Sequence, residues 1–113
     1  MSNRDTYLLL QDMLESAEKI RQYTDGYDYE SFVDDDKTTD AVIRNFEIIG
    51  EAANRIDPDF RGQNPEVHWN RIRGFRNRLV HNYFGVDYKI VWSIIEQDLD
   101  ELINSIKAMI NAY

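Results

Sequence analysis

Apolar side chains recur along the chain at the three- and four-residue spacing of amphipathic helices. This spacing predicts a first helix over residues 5–23, which Gly26 terminates, and a second helix over residues 38–55. The buried stripe of the second predicted helix consists of Val42, Phe46, Ile49, Ala53 and Ile56. Residues 27–33, between the two helices, have room for one helical turn at most, and we expect the ring of Phe32 to be buried beneath this connection.

Two prolines follow the second predicted helix and separate it from a third. Pro58 and Pro65 would each interrupt the interior of a helix, so the segment between them is predicted to form a loop. The third helix begins either with Asn64 as its N-cap and Pro65 in its first position, or near Trp69, and Gly85 terminates it. Its buried side consists of Trp69, Ile72, Phe75 or Arg76, Leu79 and Val80.

The C-terminal part of the chain predicts a fourth helix, which Asp87 caps and which continues to Tyr113. Its main apolar seam consists of Trp92, Ile95, Leu99, Leu102, Ile106, Met109 and Tyr113. A second apolar strip beside the seam consists of Val91, Ile94, Ile103 and Ile110. Burial of a large apolar side chain contributes about 1.5–3 kcal/mol, so a small domain would not leave both strips in water. The second strip therefore predicts a dimer interface.

No segment shows the alternation of a strand, so the expected fold class is all-α. The pattern predicts an antiparallel bundle of four to five helices, in one domain over residues 1–113, that pairs as a homodimer. The chain has no cysteine, which excludes disulfides and thiolate metal sites. No apolar run near the N-terminus has the length of a signal peptide or a membrane span, so a cytoplasmic location is expected.

Three consecutive aspartates, Asp34, Asp35 and Asp36, precede the second predicted helix. Their side-chain oxygens can accept hydrogen bonds from the free backbone amides of the first helical turn and favour the positive end of the helix dipole. A divalent metal cluster is the alternative, but three consecutive carboxylates point in different directions. The pattern therefore favours a helix cap.

Charge is distributed unevenly along the chain, which has 13 basic and 21 acidic residues and a net charge of −8. Such a protein is not expected to coat nucleic acids, because non-specific binding needs a broad field of lysine and arginine. Residues 67–86, called the basic segment below, contain no acidic residue. Their four arginines are Arg71, Arg73, Arg76 and Arg78. Any nucleic acid is therefore expected to bind at the basic segment.

Residues 76–83 of the basic segment combine guanidinium, carboxamide, imidazole and phenol groups. On a helix, Arg76 and Tyr83 would be nearly eclipsed, whereas Arg76 and His81 would be about 140° apart around the axis. A long arginine side chain, or a second protomer in a two-fold cleft, can close that angle. Metal-free cleavage of RNA by its own 2′-hydroxyl fits this set, with His81 transferring protons and Arg76 stabilising the phosphorane.

The sequence leaves structural interpretations of these residues open. Arg76 and Arg78 can form surface ion pairs, and His81 can cap a helix end. Glu51 lies in a segment of small residues, 50–53, that would let a neighbouring helix approach closely. Glu51 can therefore orient an arginine of the basic segment, or it can be an exposed carboxylate that pairs with Arg55 four positions later.

The stretch Arg76-Asn77-Arg78-Leu79-Val80-His81-Asn82-Tyr83 resembles the signature of the HEPN superfamily, in which Arg-Asn is followed by three residues and a histidine. The tyrosine two positions beyond His81 resembles the motif pattern of the HepT-like branch of this superfamily. The similarity to that branch extends over essentially the whole chain. The resemblance implies an all-helical homodimer that acts as a ribonuclease toxin. It also implies a partner, a minimal nucleotidyltransferase (MNT) antitoxin, that inactivates the toxin by adding AMP to the motif tyrosine.

By this resemblance Arg76 and His81 carry catalysis on an RNA substrate, Tyr83 accepts the AMP group, and no cofactor or metal is involved. The residues expected to support them are Asn77, Arg78, Arg73 and Glu51. Members of the superfamily also serve as non-catalytic modules that bind nucleotides or partner proteins. That role is the alternative expectation for this chain.

Overall fold

The computed structural model describes residues 3–79 and 85–112. In these two ranges the chain forms helices joined by short connections. The helices are α1 (Asn3–Thr24), α2 (Tyr29–Asp34), α3 (Asp36–Arg55), α4 (Pro58–Gln63), α5 (Trp69–Arg73), α6 (Phe75–Leu79), α7 (Tyr88–Gln97) and α8 (Leu99–Asn111). The predicted all-α class is confirmed.

Helix α3 lies at the centre of the bundle and contacts α1, α2, α5 and α6, while α8 packs on α1 and α7 packs on α2, α6 and α8. The apolar stripes predicted for the first two helices face this core. Their fully buried members include Leu10, Met13 and Ile20 of α1 and Val42, Phe46 and Ile49 of α3. Helix α3 thus packs against α1 and also against α5 and α6, which carry most of the basic segment.

Helix α2 is six residues long and therefore exceeds the single turn predicted for this stretch. A reciprocal cap stabilises it: Asp28 accepts from the backbone amide of Ser31 at 2.8 Å, and the Ser31 hydroxyl accepts from the amide of Asp28 at 3.0 Å. Phe32 is fully buried, as predicted, and its ring centre lies 5.2 Å from that of Trp92. This aromatic contact attaches α2 to α7.

Asp35 caps α3, which confirms the cap interpretation of the aspartate run. Its carboxylate accepts from the Tyr27 hydroxyl at 2.6 Å and from the Thr38 amide at 3.1 Å. These hydrogen bonds, chiefly the one from Tyr27, hold the pKa of Asp35 below its ordinary value. Among the residues that the structure describes, no group of three acidic or histidine side chains is arranged to hold a metal ion.

The prediction of a loop between the two prolines is wrong, because α4 occupies most of that segment. Pro58 takes the first position of α4, where the backbone N–H that a proline lacks would have no hydrogen-bond partner within the helix. Asp57 caps the helix by accepting from the Asp59 amide at 2.9 Å. Asn64 ends α4 rather than beginning the next helix. The third predicted helix therefore starts at Trp69, the second of the two expected positions.

The third predicted helix is divided at Gly74 into α5 and α6. The interruption is local, since the Gly74 amide donates to the carbonyl of Asn70 at 3.1 Å and the Arg78 amide donates to the carbonyl of Gly74 at 3.0 Å. At Gly50 of α3, a Cβ atom would lie only 3.3 Å from the carbonyl oxygen of Ile72. The close helix approach predicted for the small residues of α3 is thereby confirmed, and α5 is the neighbour.

The fourth predicted helix is also divided, at Asp98, although Asp87 caps its start as expected by accepting from the amides of Lys89 and Ile90. The assignment of its two strips was wrong in part. Three members of the strip assigned to a dimer are buried within one chain, namely Val91, Ile94 and Ile103. Two members of the seam, Trp92 and Ile95, are only half-buried.

The reason is that α7 and α8 pack against different neighbours, α2 and α6 for one and α1 for the other. The apolar residues of both strips therefore find partners inside the chain, and the second strip no longer argues for a dimer. No helix in the described ranges combines the length and the apolar character that a membrane span requires.

Candidate functional site

Helix α6 presents the first half of the motif in residues 76–83. Phe75 and Leu79 are buried and hold the helix against α3 and α7, while Arg76 and Asn77 are exposed. Packing thus turns the polar face of α6 toward solvent. The other two predicted site residues, His81 and Tyr83, lie outside the described residues.

Arg76 is the arginine of the motif whose guanidinium group is exposed. Its side chain is exposed, and in the described part of the chain it has no hydrogen bond or ion pair. The structural alternative of a surface ion pair is therefore not observed for Arg76 among these residues. An uncompensated guanidinium with five donors in a fixed fork matches the oxygens of a phosphate group.

Arg78 is held differently, because its side chain folds back onto the protein. Its guanidinium carbon lies 5.8 Å from the ring centre of Phe75, and its Nη2 lies 3.5 Å from a carboxylate oxygen of Asp98. Its Nη1 is buried and has no hydrogen-bond acceptor within the described residues. The ion-pair interpretation that the sequence left open thus fits Arg78.

Arg71 shares the same carboxylate, since its Nη2 donates to Asp98 Oδ2 at 2.8 Å. Asp98 lies at the break between α7 and α8, and only 19% of its side chain is exposed. One carboxylate therefore compensates two of the four arginines of the basic segment. Arg73 and Arg76, the other two, have no carboxylate partner among the described residues.

Arg73 and Glu51, both expected to support the site, have different surroundings. Nε of Arg73 donates to Oδ1 of Asn54 at 2.7 Å, a neutral partner that leaves the cationic charge uncompensated. Glu51 is exposed on α3, and neither Arg55 nor an arginine of the basic segment pairs with it in the described part of the structure. Arg73, Arg76 and Asn77 are therefore all exposed, and Glu51 forms no ion pair with an arginine of the basic segment in the described part of the chain.

The sequence of this chain matches a known protein family. Residues 13–109 match the family model described as Ribonuclease HepT-like. The chain belongs to this family. The resemblance noted for residues 76–83 is thereby confirmed, since the motif lies inside the matched region.

Relatives of this HepT-like chain occur in archaea and bacteria. A Methanocaldococcus jannaschii protein named "Putative RNase" is 43% identical over 102 residues, which cover 90% of this chain and 94% of the relative. A Thermococcus cleftensis protein named "Probable ribonuclease HepT" is 41% identical over 93 residues, which cover 82% and 84%. A Caldanaerobacter subterraneus protein, also named "Putative RNase", is 37% identical over 101 residues, which cover 89% and 90%. No solved structure matches the chain.

Sequence reasoning missed Asp98 as a partner of the HepT-like motif. In the sequence it is one of four acidic residues within positions 96–101, beside Leu99 of the apolar seam. The only local signal was this position next to a predicted buried residue, because a charge near a buried surface needs a partner. Its actual partners, Arg71 and Arg78, are 27 and 20 positions away in the chain, so local periodicity does not reveal them.

Proposed function

We propose that this HepT-like chain is a metal-independent endoribonuclease that acts as the toxin of a toxin–antitoxin pair. The observation that carries the proposal is the exposed guanidinium of Arg76, which has no carboxylate partner among the described residues and begins the motif inside the family match. A substrate phosphate needs a cation that the protein does not already compensate. Arg76 meets this requirement better than Arg71 and Arg78, which share Asp98.

The proposed reaction uses the RNA's own 2′-hydroxyl as the nucleophile. The 2′-oxygen forms a bond to the adjacent phosphorus while the bond from phosphorus to the leaving 5′-oxygen breaks. His81 accepts the proton of the 2′-hydroxyl or donates a proton to the 5′-oxygen, a role worth about 10²–10⁴ in rate. Arg76 donates hydrogen bonds to the non-bridging oxygens as negative charge develops. The products are a 2′,3′-cyclic phosphate and a 5′-hydroxyl.

A homodimer completes this mechanism. One protomer supplies one motif histidine, whereas general acid and general base catalysis call for two proton-transferring groups. Two copies of the chain that meet at the motif helices would bring two imidazoles and two Arg76 side chains to a shared cleft. Such a cleft would also double the positive charge available to an extended polyanion.

The proposed partner is an MNT nucleotidyltransferase antitoxin that transfers AMP from ATP to the Tyr83 hydroxyl. The phenol oxygen, which loses its proton, forms a bond to the α-phosphorus while the bond to the leaving pyrophosphate breaks. The attached phosphate would lie close to Arg76, at high effective concentration, and an RNA phosphate would have to displace it. AMP addition would therefore inhibit the nuclease by occupying its own site. Co-expression with the antitoxin should raise the intact mass of the wild type by one AMP group and leave a Tyr83→Phe variant unmodified.

The proposal is tested by cleavage of RNA in EDTA. Arg76→Ala and His81→Ala should each abolish cleavage while the melting temperature changes little, because Arg76 is exposed and has no hydrogen bond or ion pair in the described part of the fold. Arg44→Ala, which removes an exposed arginine from α3, is the matched control and should retain activity. Cleavage that depends completely on magnesium would overturn the mechanism, and an Arg76→Ala protein that unfolds would make Arg76 structural.

The second candidate function is a non-catalytic module that binds nucleotides or a partner protein. It is favoured by the same exposed cation, which can bind a phosphate without cleaving the chain that carries it. RNA binding without any cleavage product by the wild-type homodimer would select this candidate.

A further inference from the structure

A groove beside the motif is lined by three arginines and by no carboxylate of the described chain. It is formed by α4, α5 and the connection between them and has a volume of about 450 Å³. Its polar lining residues are Arg61, His68, Asn70, Arg71 and Arg73. In a protein with a net charge of −8, this is a local concentration of positive charge outside residues 76–83.

Arg61 is fixed at the edge of this groove. Its Nη1 donates to the carbonyl oxygens of Ala53 at 3.1 Å and Ile56 at 2.8 Å, at the C-terminus of α3. Burial lowers the pKa of Arg61, the nearby charge of Arg73 lowers it further, and Asp57 raises it in part. Arg61 and Arg73 line the same groove, so their two positive charges repel each other, and an anion bound in the groove would relieve that repulsion.

The other two basic residues of the groove have carboxylate partners outside it. Arg71 donates to Asp98 at 2.8 Å, and His68 Nε2 lies 3.3 Å from a carboxylate oxygen of Glu101. Arg73, by contrast, has the neutral Asn54 amide as its partner, and Arg61 has backbone carbonyls. Arg61 and Arg73 are thus the two arginines of the groove that form no ion pair with a carboxylate in the described ranges.

Arg73, at one end of the groove, lies about one helical turn from Arg76. The hydrogen bonds across Gly74 keep α5 and α6 in nearly helical register, and residues three apart on a helix are surface neighbours. Arg73 and Arg76 are three apart and both are exposed. A polyanion held at Arg76 can therefore extend along α5 to Arg73 and Arg61.

We propose that Arg61 and Arg73 bind a phosphate of the RNA next to the linkage that is cleaved. This inference rests on the proposed function, because it takes the chain held at Arg76 to be RNA. RNA carries a phosphate at every nucleotide, so a strand bound at Arg76 presents a second one to the adjacent groove. Affinity for RNA therefore increases with the number of nucleotides that reach the groove.

The experiment measures binding of a single-stranded 2′-O-methyl RNA, which lacks the nucleophile for cleavage, by fluorescence anisotropy across a series of salt concentrations. Arg73→Gln should raise Kd about three- to tenfold and reduce the slope of log Kd against log salt by about 0.7, the loss of one phosphate contact. Arg73→Lys should restore most of the affinity, because the charge returns. Arg44→Gln makes the same change in net charge on α3, outside the groove, and should bind like the wild type.

Arg61→Gln should produce a second loss of similar size, and it is compared only if its melting temperature stays near that of the wild type, because Arg61 also holds the end of α3. A 2′-O-methyl dinucleotide should lose less affinity than the longer RNA in both variants. Wild-type affinity and salt slope in Arg73→Gln would overturn the inference.

Two further outcomes separate this inference from the proposed function. If the 2′-O-methyl RNA binds with the predicted dependence on Arg73 but ordinary RNA is not cleaved, the phosphate site in the groove is supported and the proposed nuclease activity is contradicted. Unchanged RNA binding by Arg73→Gln, together with weaker binding to polyglutamate, would assign the groove to an acidic polypeptide and overturn the RNA site.

Discussion

At Asp98 one carboxylate oxygen faces two guanidinium groups, with Arg71 Nη2 at 2.8 Å and Arg78 Nη2 at 3.5 Å. The pairing joins the break between α7 and α8 to both halves of the third predicted helix. The four arginines of the basic segment look equivalent in the sequence. Arg71 and Arg78 pair with Asp98, whereas Arg73 and Arg76 pair with no carboxylate among the described residues. The role of a single residue in the site is thus set by which partner its side chain meets.

We expect Asp98→Asn to lower the free energy of unfolding by about 1–2 kcal/mol, because the partly buried Arg78 guanidinium loses its counterion. Urea unfolding measures this change. Asp100→Asn is the matched control: Asp100 pairs with Arg21 on an exposed surface, where ion pairs contribute about 0–1 kcal/mol. Equal effects of the two substitutions would show that Asp98 is an ordinary surface acid.

At the scale of elements, the position of the basic segment depends on how closely α5 approaches α3. That approach is possible at Gly50, because a side chain there would meet the carbonyl of Ile72. Since α5 carries Arg71 and Arg73 and leads directly into α6, a displacement of α5 would move the whole exposed arginine face.

Gly50→Val should therefore destabilise the fold by about 1–3 kcal/mol through overpacking and should also weaken RNA binding. Gly62→Val makes the same substitution in α4, where nothing lies within 4 Å of the added Cβ, and should change stability by less than about 1 kcal/mol. Thermal or urea unfolding of both variants provides the comparison. Wild-type stability in Gly50→Val would show that the two helices can separate without cost.

At the scale of the whole molecule, the proposed cleft needs two copies of a chain with a net charge of −8. The apolar strip that suggested a dimer from the sequence is mostly used inside the monomer, so the argument for pairing now rests on the need for two motifs. Long-range repulsion between two acidic chains is screened at physiological salt, with a Debye length of about 8 Å.

We expect sedimentation analysis to find a dimer at micromolar concentration. Because the shared cleft uses the His81 imidazoles of both protomers, a mixed dimer of wild type and His81→Ala should not cleave RNA. Re-equilibrating the wild type with excess His81→Ala protein should therefore reduce cleavage well below that of the same amount of wild type alone, and the same mixture without re-equilibration is the control. A monomer at all concentrations, or full wild-type cleavage in the re-equilibrated mixture, would contradict the shared cleft.

Much of the fold followed from local patterns. The stripes of α1 and α3, the caps at Asp35 and Asp87 and the burial of Phe32 depend on neighbouring residues, so spacing alone predicted them. The same logic failed at Pro58, because a proline breaks the interior of a helix but is well suited to its first position. It failed again at the second apolar strip, because spacing shows that a surface is apolar and does not show what covers it.

The sequence by itself determined the helical class, the basic segment and the motif of residues 76–83, because periodicity, charge and residue order are properties of the chain. Tertiary structure decided which arginines remain available. Asp98 compensates Arg71 and Arg78 from across the bundle, and Arg61 lines one groove with Arg73 because α4 folds back over the end of α3. These relations join residues far apart in the chain, and the energy of a charge depends on its neighbours in space, so no local pattern contains them.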